Sequence, residues 1–174
     1  MLAFAAALVL TACLLLAVAS RMAGATGVRT GAAVVASDMG LESALKLEDP
    51  ATRIRGRPDY LLRERGRGRV YPVEVKPSRD AAAPYESDVM QLAAYMVLTE
   101  ARYGRQFAGY GLVRYRSGEF RVALTPELRK QCLRAADGVR RARAASDVHR
   151  SHAVGARCRG CAIRTRCGES LLAP

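Results

Sequence analysis

Two segments decide the fold of this chain: Gly56-Arg57-Pro58-Asp59-Tyr60-Leu61-Leu62 and Tyr71-Pro72-Val73-Glu74-Val75-Lys76. The second alternates as a strand does, so Glu74 and Lys76 share one face while Val73 and Val75 point into the core. Gly66-Arg67-Gly68 is the turn signal between them, and a hairpin folded about it sets Asp59 opposite Glu74, within one residue. Facing carboxylates about 5 Å apart repel unless a positive charge lies between them. A divalent cation suits that position. Mg²⁺ or Mn²⁺ takes one or two carboxylates, here Asp59 and Glu74, with a backbone carbonyl such as that of Val75 and several waters, and Lys76 beside it could orient an attacking water. An exposed hairpin with solvated charges is the plainer alternative.

Working outward, the arrangement of Pro-Asp followed by Glu-x-Lys resembles the PD-(D/E)XK nuclease superfamily. Downstream, Gln91-Leu92-Ala93-Ala94-Tyr95 lies in the apolar-periodic run from Tyr85 to Tyr103. Its i,i+4 spacing puts Gln91 and Tyr95 on one helix face and leaves Leu92, Met96 and Val97 for the core. An ordinary amphipathic helix would show the same spacing. The segment is similar to the Gln-x-x-x-Tyr motif of the RecB-like branch, whose helix lies over the catalytic site near DNA.

The tail carries Cys158, Cys161 and Cys167, a C-x2-C-x5-C array in a basic stretch. Three thiols so close suggest an iron-sulfur or zinc site, since thiolates favour both. With the preceding motifs, this order resembles the CRISPR-associated RecB-like exonuclease (Cas-four type) family, over about residues 33–170. The resemblance implies a [4Fe-4S] cluster on Cys158, Cys161 and Cys167, with a fourth cysteine near the N-terminus. The remaining thiols are Cys13, in an apolar segment, and Cys132, in a helical region. His152 is an alternative nitrogen ligand that would suit zinc. Relatives also carry a His or acidic metal ligand on an upstream helix; His149 and His152 lie far downstream, and Glu42 is the nearest substitute, in competition with Asp38, Glu48 and Asp49 as solvated loop acids.

Composition is consistent with a polyanionic partner. The chain has 28 Lys+Arg against 16 Asp+Glu, a net charge of +12, which implies nucleic acid or an anionic membrane surface. Arginine dominates, and its planar fork binds phosphates bidentately; a GC-rich genome would also inflate it. Five cysteines, an odd number with three clustered, fit a reducing compartment better than a disulfide framework.

Residues 1–20 carry no charged side chain, and 20 helical residues span about 30 Å, the hydrocarbon thickness of a bilayer. A transmembrane anchor is expected there. No Lys or Arg precedes Arg21, unlike a cleaved signal peptide. Leu10-Thr11-Ala12-Cys13 resembles a lipoprotein processing site, but the chain stays apolar beyond it. Arg21 and Arg29 then place the C-terminal domain in the cytoplasm by the positive-inside rule.

The expected organisation is an anchor over 1–20, a Gly-rich linker over 21–31 and a nuclease domain over 32–174, with the cysteine cluster at about 152–170. Strands are expected at Ala32–Ser37, Ile54–Leu62, Val70–Lys76, Phe107–Tyr115 and Phe120–Leu124. Helices are expected at Pro84–Tyr103 and at Thr125–Ala145, the latter opened by Thr-Pro-Glu. That order makes an α/β domain with a mixed sheet and flanking helices, and the resemblance implies the restriction-endonuclease-like fold. The expected activity is a membrane-anchored, metal-dependent nuclease acting on DNA, from single-stranded ends. Asp59, Glu74 and the Val75 carbonyl would hold Mg²⁺ or Mn²⁺, Lys76 would assist the water, and Gln91 and Tyr95 would position substrate. Two alternatives are a catalytically silent nucleic-acid-binding protein and a thiol-metal redox module.

Overall fold

A computed structural model describes residues 33–37 and 46–172. The expected anchor, the linker, Cys13, Asp38 and Glu42 lie outside the described residues. Among the described residues no helix is long and apolar enough to cross a membrane.

The chain divides into two compact units, Met1–Arg134 and Ala135–Pro174. The first is built on a five-stranded sheet of order β1-β4-β5-β6-β7, formed by β1 (Ala33–Ser37), β4 (Tyr60–Arg63), β5 (Val70–Lys76), β6 (Tyr110–Tyr115) and β7 (Glu119–Ala123). β5 and β6 run parallel, because the helix α1 (Glu86–Tyr103) carries the chain back between them, and the other pairs are antiparallel. The sheet is therefore mixed, as the sequence order implies.

The β4–β5 hairpin turns where glycines supply positive φ, at Gly66 (81°) and Gly68 (65°). Its ladder pairs Tyr60 with Val73 and Arg63 with Val70. Tyr60, Leu62, Tyr71, Val73, Tyr110 and Leu112 are buried together, and half-buried Val75 packs on them. Their register neighbours Leu61, Val70 and Val113 alternate to the opposite face. On that face Leu98 of α1 meets Leu61 and Val70, while Leu92, Ala93 and Met96 pack with Val113 and Tyr115. Burying each such side chain is worth about 1.5–3 kcal/mol, which fixes the azimuth of α1 and hence the direction of its polar residues.

α1 carries Glu86 and Asp88 in its first turn and Arg102 in its last, matching the helix dipole. It stops at Gly104, which has φ 53° and whose N–H bonds the Glu100 carbonyl. It starts two residues later than expected, because Tyr85 takes an extended conformation as its N-cap. α2 (Pro126–Ala144) opens as expected, with Pro126 first and the Thr125 hydroxyl accepting from Leu128 N at 3.2 Å.

The expected strand Ile54–Leu62 is in fact two. Ile54–Gly56 is β3, and it pairs with β2 (Leu47–Asp49), an element the sequence pattern does not reveal, in a separate two-stranded sheet. The break falls at Arg57-Pro58-Asp59, where Pro58 has no N–H to extend a ladder. Asp49 closes the β2–β3 turn by accepting from Ala51 N, Thr52 N and the Thr52 hydroxyl. β6 likewise begins at Tyr110 rather than Phe107, after a 3-10 turn at Gly104–Gln106.

The second unit holds a short helix α3 (Gly155–Arg159) and a 3-10 turn at Arg164–Arg166. Glu169 ties it together: its carboxylate meets His149 Nδ1 at 2.7 Å and Arg150 N at 2.6 Å, and its carbonyl accepts from Arg150 Nε at 2.9 Å.

Candidate active site

Five of the side chains singled out in the sequence, Asp59, Glu74, Lys76, Gln91 and Tyr95, meet at one end of the sheet. Continuing the β4–β5 ladder one residue past Tyr60 and Val73 sets Asp59 beside Glu74. Asp59 Oδ2 accepts a 2.7 Å hydrogen bond from Val75 N, which pins the carboxylate to the strand bearing its partner. Glu74 faces α1 and is only 3% exposed. Its Oε1 takes Lys76 Nζ at 2.5 Å and Gln91 Nε2 at 2.8 Å. Gln91 Nε2 also lies 3.0 Å from Tyr95 Oη. The i,i+4 pair therefore reaches the glutamate from the helix above, and Gln91 acts on a carboxylate rather than standing apart from it.

Burial pushes the Glu74 carboxyl above its ordinary range, with the Asp59 charge adding to the shift, against the opposing pull of Lys76. Lys76 moves up, chiefly through its hydrogen bond to Glu74, and so stays an ammonium. Burial likewise raises the Tyr95 phenol. The pair thus carries a desolvated anion with only one oxygen satisfied. Glu74 Oε2 is buried and has no hydrogen-bond partner.

A buried carboxylate oxygen without a donor is costly, and a hard divalent cation is the ligand that would relieve it. Asp59, Glu74 and the Val75 carbonyl are oxygen donors of the type Mg²⁺ and Mn²⁺ select. Among the described residues no group of three or more His, Cys, Asp or Glu is assembled to hold a metal ion. Two carboxylates and a carbonyl with water completing the shell fit Mg²⁺, which keeps several waters. Of the acids weighed as an upstream ligand, Asp49 is occupied by its own turn and Glu48 is exposed on β2; Asp38 and Glu42 lie outside the described residues.

Several residues of the site are not evident from the sequence. Gly56 is one: a Cβ there would lie 2.7 Å from Tyr95 Cε1, so a glycine is what lets β3 approach the ring that carries Tyr95 Oη. Its place three residues before Asp59 is the available signal. Asp88 is another, 2% exposed, bonded to Arg79 Nη1 at 2.7 Å and to Tyr115 Oη at 2.5 Å. It sits one turn before Gln91 on the same helix, a spacing visible in the sequence.

In the second unit Cys158, Cys161, Cys167 and His152 line one cavity of about 260 Å³. Cys158 is buried and Cys161 exposed, all three are free thiols, and they do not form an assembled metal-ligand group. His152 Nδ1 accepts from Val154 N at 3.3 Å. Cys132 is no part of this cavity. It is 3% exposed in the apolar cluster with Leu92, Met96 and Val113 of the first unit, where burial raises its thiol pKa, and it serves as a packing residue.

The fold has solved counterparts. The crystal structure of SSO0001 superposes with a TM-score of 0.52 at 20% sequence identity, covering 95% of this chain and 72% of that one. No curated protein matches. The model of the PD-(D/E)XK nuclease superfamily matches residues 6–168, a span that contains the carboxylates, the lysine and the cysteine tail. That match covers nearly the whole chain, and with Asp59, Glu74 and Lys76 gathered on two adjacent strands it establishes that the chain belongs to the PD-(D/E)XK nuclease superfamily.

Proposed function

We propose that this protein is a metal-dependent deoxyribonuclease that hydrolyses phosphodiester bonds from single-stranded ends. The observation that carries the reading is the orphaned, buried Glu74 Oε2 beside Asp59 in a chain of nuclease ancestry. Mg²⁺ or Mn²⁺ held there would supply a hydroxide nucleophile and offset charge developing on phosphorus. Gln91 and Lys76 occupy Glu74 Oε1 and so leave Oε2 for the metal side. Tyr95 fixes Gln91. The Lys76 ammonium keeps N–H bonds for an attacking water or a non-bridging phosphate oxygen; being protonated, it orients and neutralises rather than removing a proton.

The excess of arginine supports a polyanionic substrate, and the motif order supports the CRISPR-associated RecB-like branch. A [4Fe-4S] cluster or zinc on Cys158, Cys161 and Cys167 is supported by the cavity they share with His152, and would require the exposed Cys161 to turn inward. On end-labelled linear single-stranded DNA, EDTA should stop degradation and Mn²⁺ or Mg²⁺ should restore it, while a circular single strand should survive. Degradation unaffected by EDTA would overturn the metal mechanism, and loss of the circle would replace end-dependent action by internal cleavage.

The apolar stretch over 1–20 supports anchoring to a membrane with the nuclease domain in the cytoplasm. A specific observation favours a second reading: the superfamily match begins at residue 6, inside that stretch. Extraction separates the two. As an anchor, it should hold the full chain in the membrane pellet through alkaline carbonate, and a chain starting at Gly31 should be soluble and active. A soluble full chain, paired with an unfolded truncation, would assign the segment to the nuclease domain.

A further inference from the structure

The loop that follows Lys76 leads into a network around Asp88 whose other members, Arg79, Tyr85 and Tyr115, are given no role in the hydrolysis described above. Arg79 N donates to the Lys76 carbonyl at 3.0 Å, and Arg116 N donates to the Arg79 carbonyl at 2.9 Å, so the backbone of Arg79 is held from both sides. Its Nη1 meets Asp88 Oδ2 at 2.7 Å, and its guanidinium lies 5.0 Å from the centre of the Tyr85 ring. Asp88 in turn accepts from Tyr115 Oη, and Tyr115 Oη accepts from Tyr85 N at 2.8 Å. Tyr115 is the register partner of Lys76 across β5 and β6. The network thus surrounds the strand end that carries the catalytic lysine.

Two features separate Arg79 from an ordinary surface arginine. Its partner's side chain is 3% exposed, whereas the neighbouring Arg116–Asp80 pair has side chains 71% and 52% exposed, a solvated pair worth little. Yet the Arg79 side chain itself remains 37% exposed. A flexible cation has been fixed in orientation by the buried carboxylate while more than a third of its side chain stays exposed. An arginine ordered in this way can grip a ligand at lower cost, because ordering entropy is spent in the fold rather than on binding.

We propose that Arg79 is a nucleic-acid ligand, gripping a backbone phosphate next to the scissile one, with Asp88, Tyr115 and Tyr85 as the residues that position it. The proposal rests on the nuclease reading. A guanidinium fork is suited to phosphate oxygens, and an interaction of this type fixes register without reading bases.

The test is fluorescence anisotropy of the full-length protein with a labelled oligothymidylate, in Ca²⁺ instead of Mg²⁺, over a series of salt concentrations. Arg79→Gln should weaken binding about tenfold and flatten the slope of log affinity against log salt by about 0.7, the value for one phosphate neutralised on a single strand. Arg79→Lys should restore the slope but only part of the affinity, since the charge returns without the fork. Asp88→Asn should weaken binding several-fold at unchanged slope. The double variant Arg79→Gln/Asp88→Asn leaves no buried charge unpaired, so it should fold and still show the flattened slope. Wild-type affinity and slope in that folded double variant would overturn the proposal and leave Arg79 as the counter-ion of Asp88, with the nuclease reading intact. No binding by the wild-type protein would instead bring down the nuclease reading and this inference with it.

Discussion

Glu74→Gln should reduce metal-dependent cleavage roughly a thousand-fold or more, the scale expected when a charge-stabilising group is removed from a hydrolytic site, while leaving the protein folded. The substitution keeps the size of the side chain and an oxygen for Gln91 and Lys76, but it removes the anion that would hold Mg²⁺ or Mn²⁺. Because burial already drives the Glu74 carboxyl toward its neutral form, a neutral amide relieves a desolvation cost, and thermal stability at neutral pH should not fall. Asp59→Asn should lose cleavage similarly. It differs in one respect, since Asp59 also anchors Val75 N and an amide oxygen replaces that acceptor only in part. Calorimetric titration with Mn²⁺ should show affinity lost in both. Cleavage at the wild-type rate by Glu74→Gln, with metal affinity unchanged, would remove Glu74 from the site.

How far the sequence foretells this geometry depends on the kind of signal each residue leaves. Asp59, Glu74 and Lys76 are legible because strand alternation and a glycine turn fix register, and register fixes which side chains meet. Gln91 and Tyr95 are legible as one helix face, but the bond from Gln91 to Glu74 is not, because it depends on how deeply α1 settles on the sheet. That depth is set by Leu92, Met96 and Leu98 and by the missing side chain of Gly56, all long-range packing. The split of the expected strand at Pro58 follows from proline chemistry and is readable in principle, whereas β2 is three residues long and leaves too short a period to detect. Asp88 illustrates the opposite failure. An acid in the first turn of a helix reads as a dipole partner, and only the tertiary arrival of Tyr115 and Arg79 makes it a buried anion. Glu169, which gathers His149 and Arg150 in the tail, leaves no local signal at all.

Lys76→Met should show that the lysine supports both the chemistry and the fold. Its loss should slow cleavage by roughly a hundred-fold or more, since an oriented cation no longer faces the developing phosphate charge. It should also cost about 1.5–3 kcal/mol of stability at neutral pH without metal, the range for a hydrogen bond to a charged group, because Glu74 would stay buried with its Lys76 partner gone. The pH dependence gives the diagnostic. The Glu74 carboxyl already has a folded-state pKa above the ordinary 4.5, and Lys76 opposes that rise, so in Lys76→Met the pKa climbs further. An acid whose folded pKa is raised binds more protons in the folded state, so stability falls as pH increases from the ordinary value through the raised one. Below that window Glu74 is neutral in both states, and most of the deficit should vanish. Above it the deficit should be complete. Saturating Mn²⁺ should shrink the deficit at neutral pH, because the metal takes over neutralisation of the same carboxylate. A stability deficit independent of both pH and Mn²⁺ would mean that Lys76 acts through the packing of its alkyl stem, and that its charge does not serve Glu74.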